Sequence, residues 1–191
     1  MQGKNENGND SMVIHDEGIR YDASLEALAG LKTVSEGGVI TAGNASQITD
    51  GASAIMVCNE EGLKKITADP KALIKTITVV GDDPVYMLTG PIPASKLALR
   101  KANLSINDMD IYEVNEAFAP VPLAWAAELD DDKDKLNVNG GAIALGHPLG
   151  ATGTKLMTTL VHELERRKGK YALQAICEGG GTANATIIER L

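Results

Sequence analysis

The feature that most constrains this chain is a regular alternation of short apolar runs with longer helical segments from about residue 72 onward. The runs at residues 73–80, 111–114 and 171–177 are rich in apolar and β-branched residues, which favour strands. Residues 153–167 place a leucine at every fourth position, the period of an amphipathic helix. Such alternation predicts crossover connections, and therefore an α/β fold with a largely parallel sheet and helices on both faces.

The remaining segments suggest that the chain contains the end of one structural unit followed by a second unit. Residues 1–10 are polar and are expected to form a loop, whereas the apolar run at 52–58 is typical of a strand covered on both faces. Asp69-Pro70 ends a helical segment, and the regular pattern starts after it. The chain up to residue 70 therefore looks like the end of one unit, and residues 71–191 like a second unit. Further strands are predicted at 136–145 and 183–188, and further helices at 24–31, 60–67, 93–102 and 117–129.

Composition excludes several classes of protein. The chain has 191 residues, a formal net charge of −8 and a sequence pI near 4.9, which argues against a nucleic-acid partner. No apolar run approaches about 18 residues, so no membrane span is expected. Two cysteines cannot build a disulfide framework, which favours a reducing, cytoplasmic location. The acidic cluster at 130–132 and 134 has no His or Cys beside it, so we expect a solvated loop and no metal.

His147 is the histidine with the most unusual surroundings. Of three histidines, it alone lies in a glycine-dense turn, within the sequence GGAIALGHPLGATG. Glycines allow a ligand to approach the backbone closely, which favours a catalytic role, although a histidine could also cap the helix that follows. The glycine spacing fits neither the dinucleotide fingerprint nor the P-loop, which disfavours a nucleotide-binding α/β module.

Cys177 and Asn115 also stand at the ends of predicted strands. Cys177 opens a Gly-Gly-Gly turn, whose backbone N–H groups would lower the thiol pKa and could hold an oxyanion. Cys58 has no such turn after it and fits a small buried hydrophobic residue. Asn115 precedes a helix and could be its N-cap or a polar group of the site. Because ligands bind beyond the carboxyl ends of strands in doubly wound sheets, these positions are candidates for one site.

Four segments, in this order along the chain, resemble the thiolase family. Residues 41–46, followed by Asp50-Gly51, are similar to the family segment that lines the pantetheine tunnel. The other three match the family motifs N-E-A-F at 115–118, N-G-G-A-I-A-x-G-H-P at 139–148 and C-x-G-G-G at 177–181. The motifs span nearly the whole chain.

The resemblance implies a fold and a reaction. The fold would be a thiolase-like layered α-β-α arrangement, with a mixed five-stranded sheet and helices on both faces. Residues 1–70 would be the end of the loop region and of the N-terminal half, and residues 71–191 the C-terminal domain. The reaction would be acyl transfer between 3-ketoacyl-CoA and CoA through a cysteine acyl-enzyme, with coenzyme A as a substrate and no cofactor.

The resemblance also assigns roles to individual residues. His147 would activate the nucleophile and donate to the thioester oxygen, while Asn115 would hold a water that completes this oxyanion site. Cys177 would take or return a proton, and the Gly179 amide would donate to a second oxyanion site. The coenzyme A contacts would be Ser46, Ala117, Phe118 and, at the nucleotide end, Arg20.

One family feature has no counterpart. Thiolases carry the acylated cysteine in an N-terminal half, ahead of all these motifs, and Cys58 lies in the wrong context. The chain is therefore interpreted as the C-terminal part of a thiolase, inactive alone and dependent on its missing half or a second subunit. We expect it to associate with itself through an exposed apolar helix face, formed by helix 117–129 or by Met157, Leu160, Val161 and Leu164.

Two alternatives to an active thiolase remain open. The first is a catalytically silent half that binds coenzyme A, or a partner protein, as a scaffold. The second is a ketosynthase-like condensing enzyme, which shares the layered plan. Such enzymes usually pair two histidines, and the position of Cys177 favours a thiolase over them.

Overall fold

The computed structural model describes residues 2–5, 7–16, 18–129 and 132–191, and the chain divides into two compact units, Met1–Leu31 and Lys32–Leu191. In the first unit, strands β1 (Gln2–Lys4) and β2 (Asp10–Met12) pair antiparallel, and helix α1 (Leu25–Ala29) follows. The expected loop at residues 1–10 is thus wrong, because the Asn5 side chain accepts from two backbone N–H groups and closes a turn. The division at residue 70 stays a prediction.

The second unit contains the main sheet and its helices. In chain order its elements are α2 (Glu60–Leu63), β3 (Ala72–Gly81), α3 (Pro91–Ala102), β4 (Ile111–Val114), α4 (Pro120–Leu129), α5 (Ala142–Leu145), α6 (Thr152–Arg167), β5 (Tyr171–Glu178) and β6 (Thr182–Arg190). Short 3₁₀ turns lie at Ile106–Asp108 and Lys133–Lys135. Of the described residues, none forms a helix long and apolar enough to cross a membrane.

The sheet is mixed, with the strand order β3-β6-β5-β4. Only β4 and β5 are parallel, while β6 runs antiparallel to both β5 and β3. The mixed character agrees with the family resemblance, and the largely parallel sheet predicted from the alternation is wrong. The reason is the direct turn between β5 and β6, which leaves no room for a crossover helix and forces a hairpin.

The sheet has four strands in the described part of the chain, not the five expected, because residues 136–145 do not form one. Leu136 makes a single parallel bridge to Tyr112, and Asn137 then turns away with φ 47°. The Asn137 side chain takes over the pairing: its Oδ1 accepts from the Val114 N–H and its Nδ2 donates to the Val114 carbonyl, both at 2.9 Å. The chain then enters α5 instead of extending the ladder.

Residues 52–58 also fail to form the predicted strand. They join no sheet in the structure, and Ile55, Met56 and Val57 expose 42%, 74% and 70% of their surface. The start of the segment is hydrogen-bonded to another part of the chain, since Ser53 Oγ donates to the Ala151 carbonyl at 2.9 Å. A strand-favouring sequence needs a neighbouring strand to pair with, and the described residues place none beside it.

Helices cover both faces of the sheet, as predicted. Neighbouring residues alternate between the two core clusters: Leu173 and Ile187 face α3 and α4, whereas Ala172 and Ile188 face α6. In the first cluster, Trp125 of α4 is fully buried and donates to Ser95 Oγ at 2.8 Å. In the second, the predicted leucine stripe of α6 is buried: Leu156, Leu160 and Leu164.

The sequence predicts an exposed apolar patch on one of two helices. On α6, Leu160 and Leu164 have no exposed surface, so the patch predicted there is wrong, whereas on α4 Leu123 is 64% exposed. β3 carries exposed apolar side chains, among them Leu73, Ile77 and Val79, which are 49%, 56% and 69% exposed. β3 is also the outermost strand, with a bulge between Ile74 and Thr76.

Candidate functional site

The carboxyl ends of β4 and β5 bring two predicted site residues to one edge of the sheet. Asn115 directly follows β4, and its N–H donates to the Ala175 carbonyl of β5 at 3.0 Å. Its side chain is 1% exposed, and its Oδ1 has no hydrogen-bond partner in the described part of the chain. Cys177 lies near the end of β5, and since the two strands are parallel and adjacent, both residues belong to this edge.

His147 lies in the turn between α5 and α6 and contacts Asn115. The Nδ2 of Asn115 lies 3.4 Å from His147 Nε2, and His147 Nδ1 lies 2.6 Å from Thr152 Oγ1. The turn depends on Gly146, which has φ 84° and leaves no room for a Cβ, since that atom would lie 2.5 Å from Thr49 Oγ1. The turn at Gly146 therefore places the imidazole of His147 next to Asn115.

A short extended segment, residues 44–48, joins the predicted coenzyme A contacts to this histidine. Both the N–H and the Oγ of Ser46 donate to the Ala117 carbonyl, at 3.0 and 3.1 Å. Ala45 bridges Phe118, and the His147 N–H donates to the Gln47 carbonyl at 3.0 Å. The segment therefore pairs with residues 117 and 118 at its start, through Ala45 and Ser46, and with His147 at its end, through Gln47 and Ile48.

The surroundings of His147 favour the neutral form of its imidazole. Burial lowers the pKa of His147, and the positive charge of Lys155 lowers it further. Lys155 is fixed nearby because its Nζ donates to the Gly146 carbonyl at 2.9 Å. A neutral imidazole has one nitrogen able to accept a proton, which a general base requires.

The Cys177 thiol differs from the expectation drawn from its glycine turn. Burial raises the pKa of Cys177, the nearby Glu178 carboxylate raises it further, and a backbone hydrogen bond lowers it by less. The expected lowering of the pKa is therefore wrong, because the thiol packs in the apolar cluster under α3 and α4 and is only 8% exposed. A neutral thiol is a proton donor rather than a nucleophile.

This burial predicts a large difference in reactivity between the two cysteines, both of which are free thiols. Iodoacetamide should alkylate the exposed Cys58 at least about tenfold faster than Cys177, as measured by peptide mass spectrometry over time. In urea, where both are exposed, the two rates should converge. Similar rates in the folded chain would contradict the burial of Cys177.

The other predicted residues lie in different surroundings. Gly179 is exposed in the turn between β5 and β6, directly beyond Cys177 and Glu178. Arg20 belongs to the first compact unit and is exposed there, so its assignment to the nucleotide end stays a prediction. In the predicted acidic cluster, Asp130 and Asp131 lie outside the described residues. The described residues contain no group of three or more His, Cys, Asp or Glu placed to hold a metal ion.

Sequence reasoning gave no role to two residues that hold the site together. Thr152 contacts His147, and a hydroxyl at a helix start five residues after the histidine was the available signal. Glu116 anchors the glycine loop, because its carboxylate accepts from Asn137 Nδ2 at 2.8 Å and from the Ile143 N–H at 3.1 Å. A Cβ on Gly141 would collide with this carboxylate, which explains one glycine of the motif.

Two family models match the sequence of this chain. The family model "Thiolase, N-terminal domain" matches residues 1–61, and "Thiolase, C-terminal domain" matches residues 68–190. The steroid 3-ketoacyl-CoA thiolase FadA6 of Mycobacterium tuberculosis is 58% identical over 176 residues, which cover 92% of this chain and 43% of that protein.

Two crystal structures of human mitochondrial 3-ketoacyl-CoA thiolase are also similar. One has a TM-score of 0.87 and 46% identity, with coverage of 100% of this chain and 48% of that chain. The other, in complex with CoA, has a TM-score of 0.84 and 49% identity, with coverage of 92% and 45%. The chain spans about half the length of the curated relatives it matches. Because the model "Thiolase, C-terminal domain" matches residues 68–190, which is more than half of the chain, the chain belongs to the thiolase family.

Proposed function

We propose that this chain supplies the acid/base and oxyanion groups of an acyl-CoA thiolase, which transfers an acyl group between a 3-ketoacyl-CoA and CoA. The observation that carries the proposal is the contact of His147 with Asn115 beside the segment of residues 44–48. The names of the relatives, which are 3-ketoacyl-CoA thiolases, and the CoA complex of one of them support the substrate class. Coenzyme A is a substrate in this proposal, and no resident cofactor is needed.

In the thiolysis direction, His147 would act on the nucleophile. Its Nε2 takes the proton of a cysteine thiol, and the resulting thiolate attacks the keto carbon of the substrate. The bond between the α-carbon and that carbon then breaks, which leaves an acyl-enzyme and the enolate of acetyl-CoA. The imidazolium of His147 donates to the enolate oxygen, together with a water held by Asn115. The buried, unpartnered Oδ1 of Asn115 supports this role, since a water could satisfy it.

Cys177 would transfer the protons of the α-carbon and of the CoA thiol. Its neutral thiol gives a proton to the α-carbon of the enolate and releases acetyl-CoA. The resulting thiolate of Cys177 then takes the proton of the incoming CoA thiol, and the CoA sulfur attacks the acyl-enzyme. The bond between the acyl carbon and the nucleophilic cysteine then breaks, acyl-CoA leaves, and the cysteine thiolate takes back its proton from the His147 imidazolium. The Gly179 amide would stabilise the oxyanion of this second attack. The raised pKa of Cys177 supports a thiol that holds its proton until the enolate forms.

The nucleophile itself would come from outside this chain. Cys177 is buried and already has a role, and Cys58 is exposed on the unpaired segment 52–58. We therefore propose that the chain works with a further thiolase segment or a second subunit, in a homo-oligomer. Its two free thiols suit a reducing compartment such as the cytoplasm.

The proposal predicts the outcome of a thiolysis assay. The chain alone should not cleave acetoacetyl-CoA in the presence of CoA, because it lacks the acylated cysteine. Adding in trans a thiolase segment that carries this cysteine should produce turnover, and His147→Ala should lower it by about 10²-fold or more. Substantial turnover by the chain alone would refute the missing nucleophile, and activity unaffected by His147→Ala would refute the role of the histidine.

A catalytically silent half that binds coenzyme A is the second candidate. The observation that favours it is the absence of an exposed, activated thiol beside His147 among the described residues. The same mixture separates the two candidates: turnover that depends on His147 supports the thiolase. Binding of CoA by calorimetry without turnover, at any ratio of the two chains, supports the silent half.

A further inference from the structure

The two ring nitrogens of His147 both have a partner, which allows the position of its proton to be deduced. Nδ1 lies 2.6 Å from Thr152 Oγ1, and Nε2 lies 3.4 Å from Asn115 Nδ2. A neutral imidazole carries one N–H and one lone pair, so one contact must be a donation and the other an acceptance. The hydrogen-bonding capacities of Thr152 and Asn115 decide which ring nitrogen donates and which accepts.

The hydroxyl of Thr152 has a single proton, and the Pro148 carbonyl competes for it. Thr152 Oγ1 lies 3.0 Å from that carbonyl oxygen, which can only accept. If the hydroxyl donates there, its lone pair must accept from His147 Nδ1–H. Nε2 is then unprotonated and accepts from the Asn115 amide, so all three contacts become hydrogen bonds.

The opposite tautomer satisfies fewer groups. With the proton on Nε2, the Thr152 hydroxyl would have to turn to Nδ1 and give up the Pro148 carbonyl. The Asn115 amide would also have to rotate, so that its oxygen rather than its nitrogen faces the ring. Two hydrogen bonds would then replace three in a region where Thr152 and Asn115 are 3% and 1% exposed. The Pro148 carbonyl would keep the Thr152 N–H, so the difference between the tautomers is the hydrogen bond from the Thr152 hydroxyl, which little water is present to replace.

The position of Thr152 is itself fixed by the fold. It is the first residue of α6, and its N–H donates to the same Pro148 carbonyl at 2.9 Å. At Gly153, the next residue, a Cβ would lie 3.7 Å from Ile176 Cδ1, so the start of α6 lies close to the carboxyl end of β5. The hydroxyl is therefore presented to the imidazole by the helix, the turn and the sheet together.

We propose that Thr152 is a positioning residue that fixes His147 as the Nδ1–H tautomer and leaves Nε2 free to exchange a proton. In its catalytic consequence, the proposal rests on the proposed function: the base would act through Nε2, the nitrogen beside Asn115. Thr152 touches no reacting atom. It acts by keeping the accepting lone pair on the side where the substrate would bind.

The test is a direct measurement of the tautomer in the 191-residue chain. Nitrogen NMR of the imidazole side chains distinguishes protonated from unprotonated ring nitrogens, and the His147→Gln variant identifies the signals of His147 among the three histidines. Above the His147 pKa, the Nδ1–H form should exceed the Nε2–H form by about tenfold. Thr152→Val, which keeps the shape but removes the hydroxyl, should lower this ratio by about tenfold, and Thr152→Ser should restore it.

Thr159→Val is the matched control, because Thr159 lies on the same helix and its hydroxyl donates to the Lys155 carbonyl at 3.2 Å. This variant should leave the His147 tautomer unchanged. A wild-type chain with the proton on Nε2 would overturn the proposal, and so would a folded Thr152→Val variant with the wild-type ratio. If Thr152→Val does not fold, the wild-type and Thr152→Ser spectra still decide. None of these readouts requires turnover, so a failed thiolysis assay would refute the proposed function alone.

Discussion

Replacing Gly181 by alanine is expected to destabilise the chain by about 2 to 5 kcal/mol. Gly181 has φ +79°, a backbone conformation that costs an L-residue about 1 to 2 kcal/mol. A Cβ there would also lie 2.7 Å from the Asp82 carbonyl oxygen and 2.9 Å from that of Asp83. These are backbone atoms that cannot rotate away, and overpacking of this kind costs about 1 to 3 kcal/mol. Urea unfolding followed by circular dichroism would measure the sum.

The same turn provides two matched controls for Gly181→Ala. Gly180 has an equally unusual φ of +78° but open space around it, so Gly180→Ala should cost only about 1 to 2 kcal/mol. Gly179 has neither feature, and Gly179→Ala should stay within about 0.5 kcal/mol of wild type. Equal losses at positions 180 and 181 would show that the contact with the Asp82–Asp83 backbone is absent.

The second large effect comes from Glu113, whose buried side chain should make stability fall as pH rises. The pKa of Glu113 is raised to about 8, mainly by burial and also by the nearby carboxylates of Glu116 and Glu163, while the charge of Lys155 opposes them. The side chain is 1% exposed. Its Oε2 and the Oε1 of Gln174, which lies opposite in the β4–β5 register, both lack a partner among the described residues. A protonated carboxyl has the O–H that such a pair of acceptors needs.

The direction of this pH effect follows from proton counting. Between pH 4.5, the ordinary value, and about pH 8, the folded chain keeps a proton on Glu113 that the unfolded chain releases. Stability is therefore lost as pH rises through this window, by about 4 to 5 kcal/mol in total for this one group. Below pH 4.5 both states are protonated, and the contribution of Glu113 is constant.

Glu113→Gln should remove this slope, because an amide stays neutral at every pH. The measured quantity is the difference in unfolding free energy between variant and wild type at pH 5, 6, 7 and 8, which should grow in favour of the variant. Glu165→Gln is the control: Glu165 is exposed and pairs with Lys71 at 2.9 Å, and its pKa is lowered, so its effect lies below this window. Parallel pH profiles for Glu113→Gln and wild type would mean that Glu113 is ionised in the fold.

The sequence predicted the elements whose signals are local. β4 has the predicted bounds, β3 is one residue longer than predicted at each end, and α6 begins one residue earlier than predicted. The leucine stripe of α6 is buried. The two wrong strands, at 52–58 and 136–145, have strand-like composition. Composition cannot show whether a neighbouring strand is present, nor that Asn137 ends the pairing with its own side chain.

The same holds for the site: its residues with local sequence signals were predicted, and those whose role depends on the folded loops were not. Polar residues at strand ends and a glycine-dense turn were enough to predict that Asn115 and His147 belong together. Thr152 and Glu116 were given no role because their partners are known only once the loops are folded. The pKa of Cys177 was predicted in the wrong direction, since its glycine turn is visible in the sequence and its burial is not.

The outer edge of β3 governs how this chain will behave at high concentration. Among the residues that the structure describes, no strand pairs with this edge, which lies beside the exposed Ile77 and Val79. Such an edge is a template for adding strands from other molecules, the first step of aggregation. The bulge beside Lys75, whose ammonium pairs with Glu189 at 3.0 Å, interrupts this template near its start. Solubility should therefore depend more on residues 76–80 than on any other part of the sheet, and a lysine at position 79 is the simplest protection.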